Sequence, residues 1–187
     1  HTRGLEFTLG PCRYTANLTP SAHATVGYQT PRASNAVLRA RASDWRVSGI
    51  LSAQSGGWLT VTTGRDTALN GQLNQRVNQV SDAVYGPKTL DRYLNPAAFA
   101  QPDTGTFGNH VRASIAGPGL WTINLALSRM LSFTSSQHLE VRLEAFNLLN
   151  HFNWGVPVTN LAQATFGRIQ TQATEPRILQ FGLKYGF

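Results

Sequence analysis

Over the last stretch of the chain, Pro176 to Phe187, apolar and polar positions alternate. Leu179, Phe181, Leu183, Tyr185 and Phe187 take every second place, and Gln180, Gly182, Lys184 and Gly186 fill the places between. A period of two is that of an extended strand, so this pattern predicts a strand with one apolar and one polar face. The stretch meets the roughly 9–11 residues that a tilted strand needs to cross a bilayer. Tyr185 and Phe187 would then stand where an aromatic girdle belongs. An aromatic last residue without a polar tail fits a buried or membrane-facing strand better than the frayed end of a soluble domain.

The same period recurs upstream. Trp45, Val47, Gly49, Leu51 and Ala53 alternate with Arg46, Ser48, Ile50, Ser52 and Gln54. Ser55-Gly56-Gly57 interrupts, and Trp58 to Thr63 resumes a strand-like composition, which predicts a long strand with a glycine bulge or a hairpin, the bulge being preferred on the family resemblance given below. Trp121, Ile123, Leu125 and Leu127 alternate with Thr122, Asn124, Ala126 and Ser128; Arg129 then falls on the apolar side, near the strand end, where a long basic side chain can snorkel. After a polar turn at Thr134 to Gln137, Leu139, Val141, Leu143 and Ala145 alternate with His138, Glu140, Arg142 and Glu144. Glu140, Arg142, Glu144 and Lys184 therefore share the polar side, facing water in a soluble sheet or the lumen in a barrel.

Two stretches lack this period. Gly64 to Gly119 is rich in Gly, Asn, Asp and Pro and predicts a long polar loop, rare inside a compact soluble domain but normal on the outer side of a membrane barrel. Asn147 to Thr174 predicts a second loop with a strand-like piece from Phe166 to Thr171. With Phe187 on the inner side, both loops fall outside and the Thr134 to Gln137 turn falls inside. This is the short-turn, long-loop disposition of outer-membrane barrels. Residues 1–43 are broken by Pro11, Pro20 and Pro31 and predict loops with one or two strands. They form a poorly assigned N-terminal segment, set apart from residues 44–187.

Composition sharpens the class. Charged residues make up 13% and glycines number 17, a profile of strands and turns rather than surface helices. No run of about 18 apolar residues exists, which excludes a transmembrane helix but not a membrane barrel. The net charge of +7 is spread without a basic cluster, so no nucleic-acid partner is expected. Cys12 is the sole cysteine, which rules out an internal disulfide and a cysteine-based metal site. The chain begins at His1 without a leader segment, and is expected to be a fragment or a processed piece.

Catalytic chemistry is not signalled. There is no phosphate loop, no nucleophile elbow and no paired histidines at ligand spacing. Glu140 and Glu144 flank Arg142 on one strand face, a pattern of an ion-pair ladder without the pocket or nucleophile that acid–base catalysis needs. No enzyme activity, cofactor or metal is expected.

From Asp44 onward the chain resembles the C-terminal part of the β-barrel of Oar-like TonB-dependent outer-membrane transporters. The likeness is carried by Trp45-Arg46-Val47-Ser48-Gly49-Ile50, Leu94-Asn95-Pro96-Ala97-Ala98-Phe99 and Gly105-Thr106-Phe107-Gly108-Asn109. It continues through Gly117-Pro118-Gly119, Arg142-Leu143-Glu144-Ala145-Phe146-Asn147-Leu148-Leu149-Asn150-His151, Phe166-Gly167-Arg168-Ile169 and Pro176-Arg177. The resemblance implies an all-β fold of antiparallel transmembrane strands, about four to six of them from a much larger barrel, in the bacterial outer membrane. It also implies energised substrate uptake by the full-length protein. The expected partners are outer-membrane lipid, an unidentified substrate, the barrel assembly machinery, and the TonB complex reached through N-terminal parts not present here. Leu179, Phe181, Leu183, Tyr185 and Phe187 would be the assembly signal, and Glu140, Arg142, Glu144 and Lys184 would line the lumen. Two other architectures fit the alternation: a soluble secreted β-sandwich or adhesion module, and a small self-contained barrel of eight strands.

Overall fold

Each alternating stretch is an extended strand, and the strands pair into one antiparallel sheet. The computed structural model describes the backbone of residues 4–8 and all of 19–31, 34–35, 42–134 and 136–187. In chain order the strands are β1 (Gly4–Thr8), β2 (Ser21–Gln29), β3 (Trp45–Gln54), β4 (Trp58–Leu59), β5 (Asn78–Gln79), β6 (Phe99–Ala100), β7 (Ile115–Ala116), β8 (Leu120–Ser132), β9 (His138–Phe146) and β10 (Ile178–Gly186). Six of them form the sheet β1-β2-β3-β8-β9-β10, while β4 pairs with β7 and β5 with β6 inside the connection between β3 and β8.

The register keeps the two faces apart across the sheet. Phe181 lies opposite Leu143, Leu143 opposite Leu127, Leu127 opposite Val47, and Val47 opposite Tyr28. One position along, Gly182 lies opposite Arg142, Arg142 opposite Ser128, and Ser128 opposite Arg46. A slip of one residue in any pair would carry a whole strand's apolar side chains to the wrong face. The apolar face is open: Leu179, Phe181 and Leu183 are 63%, 67% and 62% exposed. Among the described residues no second sheet covers it, as a sandwich would require. Arg129, the exception on this face, sits opposite Trp45 with its guanidinium 5.2 Å from the ring centroid, a cation–π contact at the strand end.

The glycine bulge predicted after Gln54 is not there. A Cβ on Gly56 would stand 1.8 Å from the Gly117 carbonyl oxygen, and Gly117 N–H donates to Gly57 O at 2.8 Å. The two ends of the connection meet backbone to backbone at this point. Only glycine permits that approach, so the chain leaves the sheet and Trp58–Leu59 pairs with Ile115–Ala116 instead.

Within the 1–43 segment, β2 pairs with β3 from Ser21↔Gln54 to Gln29↔Arg46, and β1 pairs in turn with β2. Its outward positions Ala22, Ala24, Val26 and Tyr28 obey the period of two, but two alanines leave a weak apolar signal. Cys12 and the other residues of 9–18, 32–33 and 36–41 lie outside the described residues.

The hydrophobic core lies off the sheet. Val61, Val77, Leu94, Ala98, Phe99 and Ile115 of the first long connection pack with Phe166 and Ile169 of the second, all at most 8% exposed. The stretch predicted as a long polar loop thus holds most of the buried apolar side chains. Both connections leave the same end of the sheet, where Gln54 pairs with Leu120 and Phe146 with Ile178. The short turn closed by Phe133 N–H to Gln137 O, and Phe187, lie at the other end, the disposition that alternation predicted.

Candidate functional site

At the end of the sheet the two connections build a packed cap, and asparagines fasten it. β9 ends at Asn147, which adopts a left-handed φ of +50°, tolerated by asparagine better than by most residues. Its Nδ2 donates to the carbonyls of His151 and Glu175 at 3.0 and 3.1 Å, and its Oδ1 accepts from His151 N–H at 2.9 Å. Asn150, at φ +51°, accepts from Arg177 N–H at 2.9 Å. Asn153, 1% exposed, pairs with both backbone groups of Trp121: Trp121 N–H donates to Oδ1 at 2.8 Å and Nδ2 donates to Trp121 O at 2.9 Å. The end of β9, the start of β10 and the start of β8 are thus joined through side chains three residues apart. His151 stacks on Trp121 at 4.2 Å beside this clamp.

Further in, Asn95 caps a short 3-10 turn at Pro96–Ala98 by accepting from Ala97 N–H, and it donates to Ala83 O at 2.9 Å. This sets Leu94, Ala98 and Phe99 into the core, where Phe99 meets Phe166 edge to face at 5.8 Å. Tyr93 meets Trp154 in the same way at 6.4 Å, and burial pushes the Tyr93 hydroxyl's pKa up. Gly108 lies against the 76–77 backbone, where a Cβ would come within 2.2 Å of Val77 O. Asn109 Oδ1 accepts from Gln79 N–H at 2.7 Å, continuing that contact.

His110 is a second buried titratable group of the cap. Its Nδ1 lies 3.1 Å from Gln79 Oε1, its ring packs edge to face on Phe99, and its Nε2 is buried without a hydrogen-bond partner among the described residues. Burial, and then the charge of Arg76, hold its pKa below the ordinary 6.5. Well above pH 6.5 the ring is neutral whether the cap is folded or open. As pH falls through that value the open form binds the proton first, so cap stability is lost on the acid side. Limited proteolysis of the cap should therefore speed up between pH 7.5 and 5, about the range where histidines titrate. His110→Gln should flatten that dependence, and an equally steep profile in the variant would refute the assignment.

Two clefts open on the cap, each of about 400 Å³. One is bounded by Arg76, Phe107, Arg112 and amide side chains, the other by Gln79, Asp82, Asn109 and Val111. On the sheet, the face opposite the apolar one carries the charges other than Arg129: Arg142 forms an ion pair with Glu144, and Lys184 lies opposite Glu140. Exposed as it is, the pair adds only about 0–1 kcal/mol to stability. The sequence pattern of one family, described as outer membrane beta barrel domain, matches residues 10–180.

The chain belongs to the outer membrane beta barrel domain family.

An outer membrane beta barrel domain resides in the bacterial outer membrane and crosses it with strands; among the described residues no helix is long and apolar enough to cross. The matched span includes β2 as well as both long connections. No match was found among curated proteins or among solved structures.

In this outer membrane beta barrel domain the residues singled out from the sequence form two groups. Leu179, Phe181, Leu183 and Tyr185 share the open apolar face of the edge strand β10, and Phe187, 94% exposed, stacks on Tyr185 at 6.1 Å. Glu140, Arg142, Glu144 and Lys184 gather on the other face of β9 and β10. The cap clamp and the Arg76–Arg112 cleft had no sequence signal of their own, beyond the three-residue spacing of Asn147, Asn150 and Asn153.

Proposed function

We propose that the chain forms part of the wall and outer cap of an Oar-like TonB-dependent transporter that takes up a substrate across the outer membrane. The observation that carries this reading is the cap. The pieces Leu94 to Phe99, Gly105 to Asn109, Gly117 to Gly119, Asn147 to His151 and Phe166 to Ile169, which resemble that family, belong to the packed cap or to its joints with the sheet. Long outer segments packed this way present a surface to the exterior, which suits a receptor. The role is transport rather than catalysis, with lipid on the apolar face and no nucleic-acid partner. Glu140, Arg142, Glu144 and Lys184 line the lumen, where charge is tolerated.

Both edge strands, β1 and β10, need partners, because an unpaired backbone group in lipid costs several kcal/mol. In the full-length protein further barrel strands supply them, and the TonB complex is engaged through a plug. Reading the DNA upstream of the His1 codon tests this: a plug and more alternating strands in frame are expected, and a plugless gene would overturn TonB dependence.

The β10 residues Leu179, Phe181, Leu183, Tyr185 and Phe187 act as the signal for the barrel assembly machinery. Phe187→Asp in the full-length protein should reduce its outer-membrane level by about tenfold, the effect of about 1.4 kcal/mol on an assembly equilibrium. Wild-type levels in the membrane fraction would sink this role.

A further inference from the structure

The cleft bounded by Asn70, Gln72, Asn74, Arg76, Phe107 and Arg112 combines features that a barrel wall has no use for. Arg76 and Arg112 have no carboxylate partner and no side-chain hydrogen bond among the described residues. A guanidinium offers a planar fork of donors that matches a carboxylate with two parallel hydrogen bonds. The amides of Gln72 and Asn74 are likewise without side-chain partners among the described residues, and an amide can donate to and accept from neighbouring hydroxyls. Phe107 is 64% exposed on the wall, an apolar surface for the C–H face of a ring. We propose that this cleft binds an acidic oligosaccharide, with the two arginines on the sugar carboxylates, the amides on hydroxyls and Phe107 under a ring.

The walls are fixed before any ligand arrives. Gln75, buried, donates through Nε2 to Asp66 Oδ1 and Asn70 Oδ1, both at 2.8 Å, and its Oε1 accepts from Thr67 Oγ1 and Ala68 N–H. Asp66 also accepts from Asn70 and Gly71 N–H, which consumes the neighbouring carboxylate within the wall rather than on an arginine. The opposite wall is held by the contact of Gly108 with the 76–77 backbone and by His110 N–H to Val77 O at 3.0 Å. The backbone that carries Arg76 is thus set against the 108–110 segment without a ligand, which lowers the ordering cost of binding. The neighbouring cleft carries Asp82 and no cation, so an anionic sugar should prefer the first.

The inference takes only the outer position of the cap from the barrel reading, and the test needs neither TonB nor uptake. Purified full-length protein in lipopolysaccharide-free nanodiscs is titrated by calorimetry with trigalacturonate and with the neutral galactose trisaccharide, which lacks the carboxylates. The acidic probe should bind at least about tenfold more tightly, and Arg112→Gln should lose about tenfold of that affinity. Arg76→Gln should do the same where its migration on unboiled gels shows a folded barrel; otherwise the exposed Arg112 decides alone. Asp82→Asn in the second cleft should leave affinity unchanged. Displacement of trigalacturonate by lipopolysaccharide assigns the site to a lipid-borne sugar, and persistence of binding assigns it to a free one. No binding of the acidic probe, equal affinity for the neutral one, phosphate binding as tightly as the saccharide, or an unaffected Arg112→Gln protein would overturn the proposal.

Discussion

Asn153→Ala is expected to loosen the cap from the sheet by about 2–5 kcal/mol, since each buried polar group left without a partner costs about 1–3 kcal/mol. The side chain is 1% exposed and serves three groups: Trp121 N–H, Trp121 O and Thr174 Oγ1. It extends the pairing of β8 where no further strand is available, because the chain has already turned away from the sheet. Alanine removes all three bonds and leaves a cavity that nearby backbone cannot fill. Asn153→Asp keeps the acceptor for Trp121 N–H but loses both donors and sets a buried carboxylate against Trp121 O, so it should destabilise at least as much as alanine. Limited proteolysis of the membrane-embedded full-length protein, scored for cuts within residues 147–177, measures the effect. Cleavage at the wild-type rate would show that the aromatic and apolar packing holds the cap without the clamp.

The second large effect belongs to the open face of the sheet. Leu127→Arg should destabilise the inserted barrel by about 2–4 kcal/mol, the cost of a basic side chain on the lipid side near mid-membrane. Leu127 stands in the row Phe181, Leu143, Leu127, Val47, Tyr28, with no polar neighbour in the row to take the charge. Ala126→Arg is the control one residue away: it points to the polar face, opposite Glu144, and should be tolerated. Heat-modifiable gel migration of both variants in full-length protein, followed across a urea series, gives the comparison. Equal loss in both would mean that the two faces do not differ in their surroundings, against the assignment of lipid to one of them.

The wall was largely legible from alternation. Strands at Trp45–Gln54, Leu120–Ser132, His138–Phe146 and Ile178–Gly186 carry enough large apolar residues for a period of two to stand out, and their pairing follows from a short turn and two long connections. The segment holding β1 and β2 was legible only as loops with one or two strands, because the small side chains of Ala22 and Ala24 mark the apolar face of β2 weakly. The cap escaped for another reason. Val61, Val77, Leu94, Phe99 and Ile115 are buried by contacts between segments far apart in sequence, with no repeat along the chain to betray them. The glycines after Gln54 were seen, but sequence alone could not tell a bulge from a backbone crossing, which depends on Gly117, some 60 residues away. The loop that holds the asparagines at 147, 150 and 153 was legible; their part as clamps needs the three-dimensional neighbours Trp121, Thr174, Glu175 and Arg177.

The backbone pinch at Gly56, Gly57 and Gly117 has a consequence for how such proteins diversify. Everything from Trp58 to Ala116 enters and leaves the wall through one narrow neck, so this insert can be exchanged, lengthened or shortened without disturbing the register of β3 against β8. The exchange is not free, however. Any replacement has to present an apolar surface to Phe166 and Ile169, which act as its socket, so the insert is an interchangeable head on a constant stave.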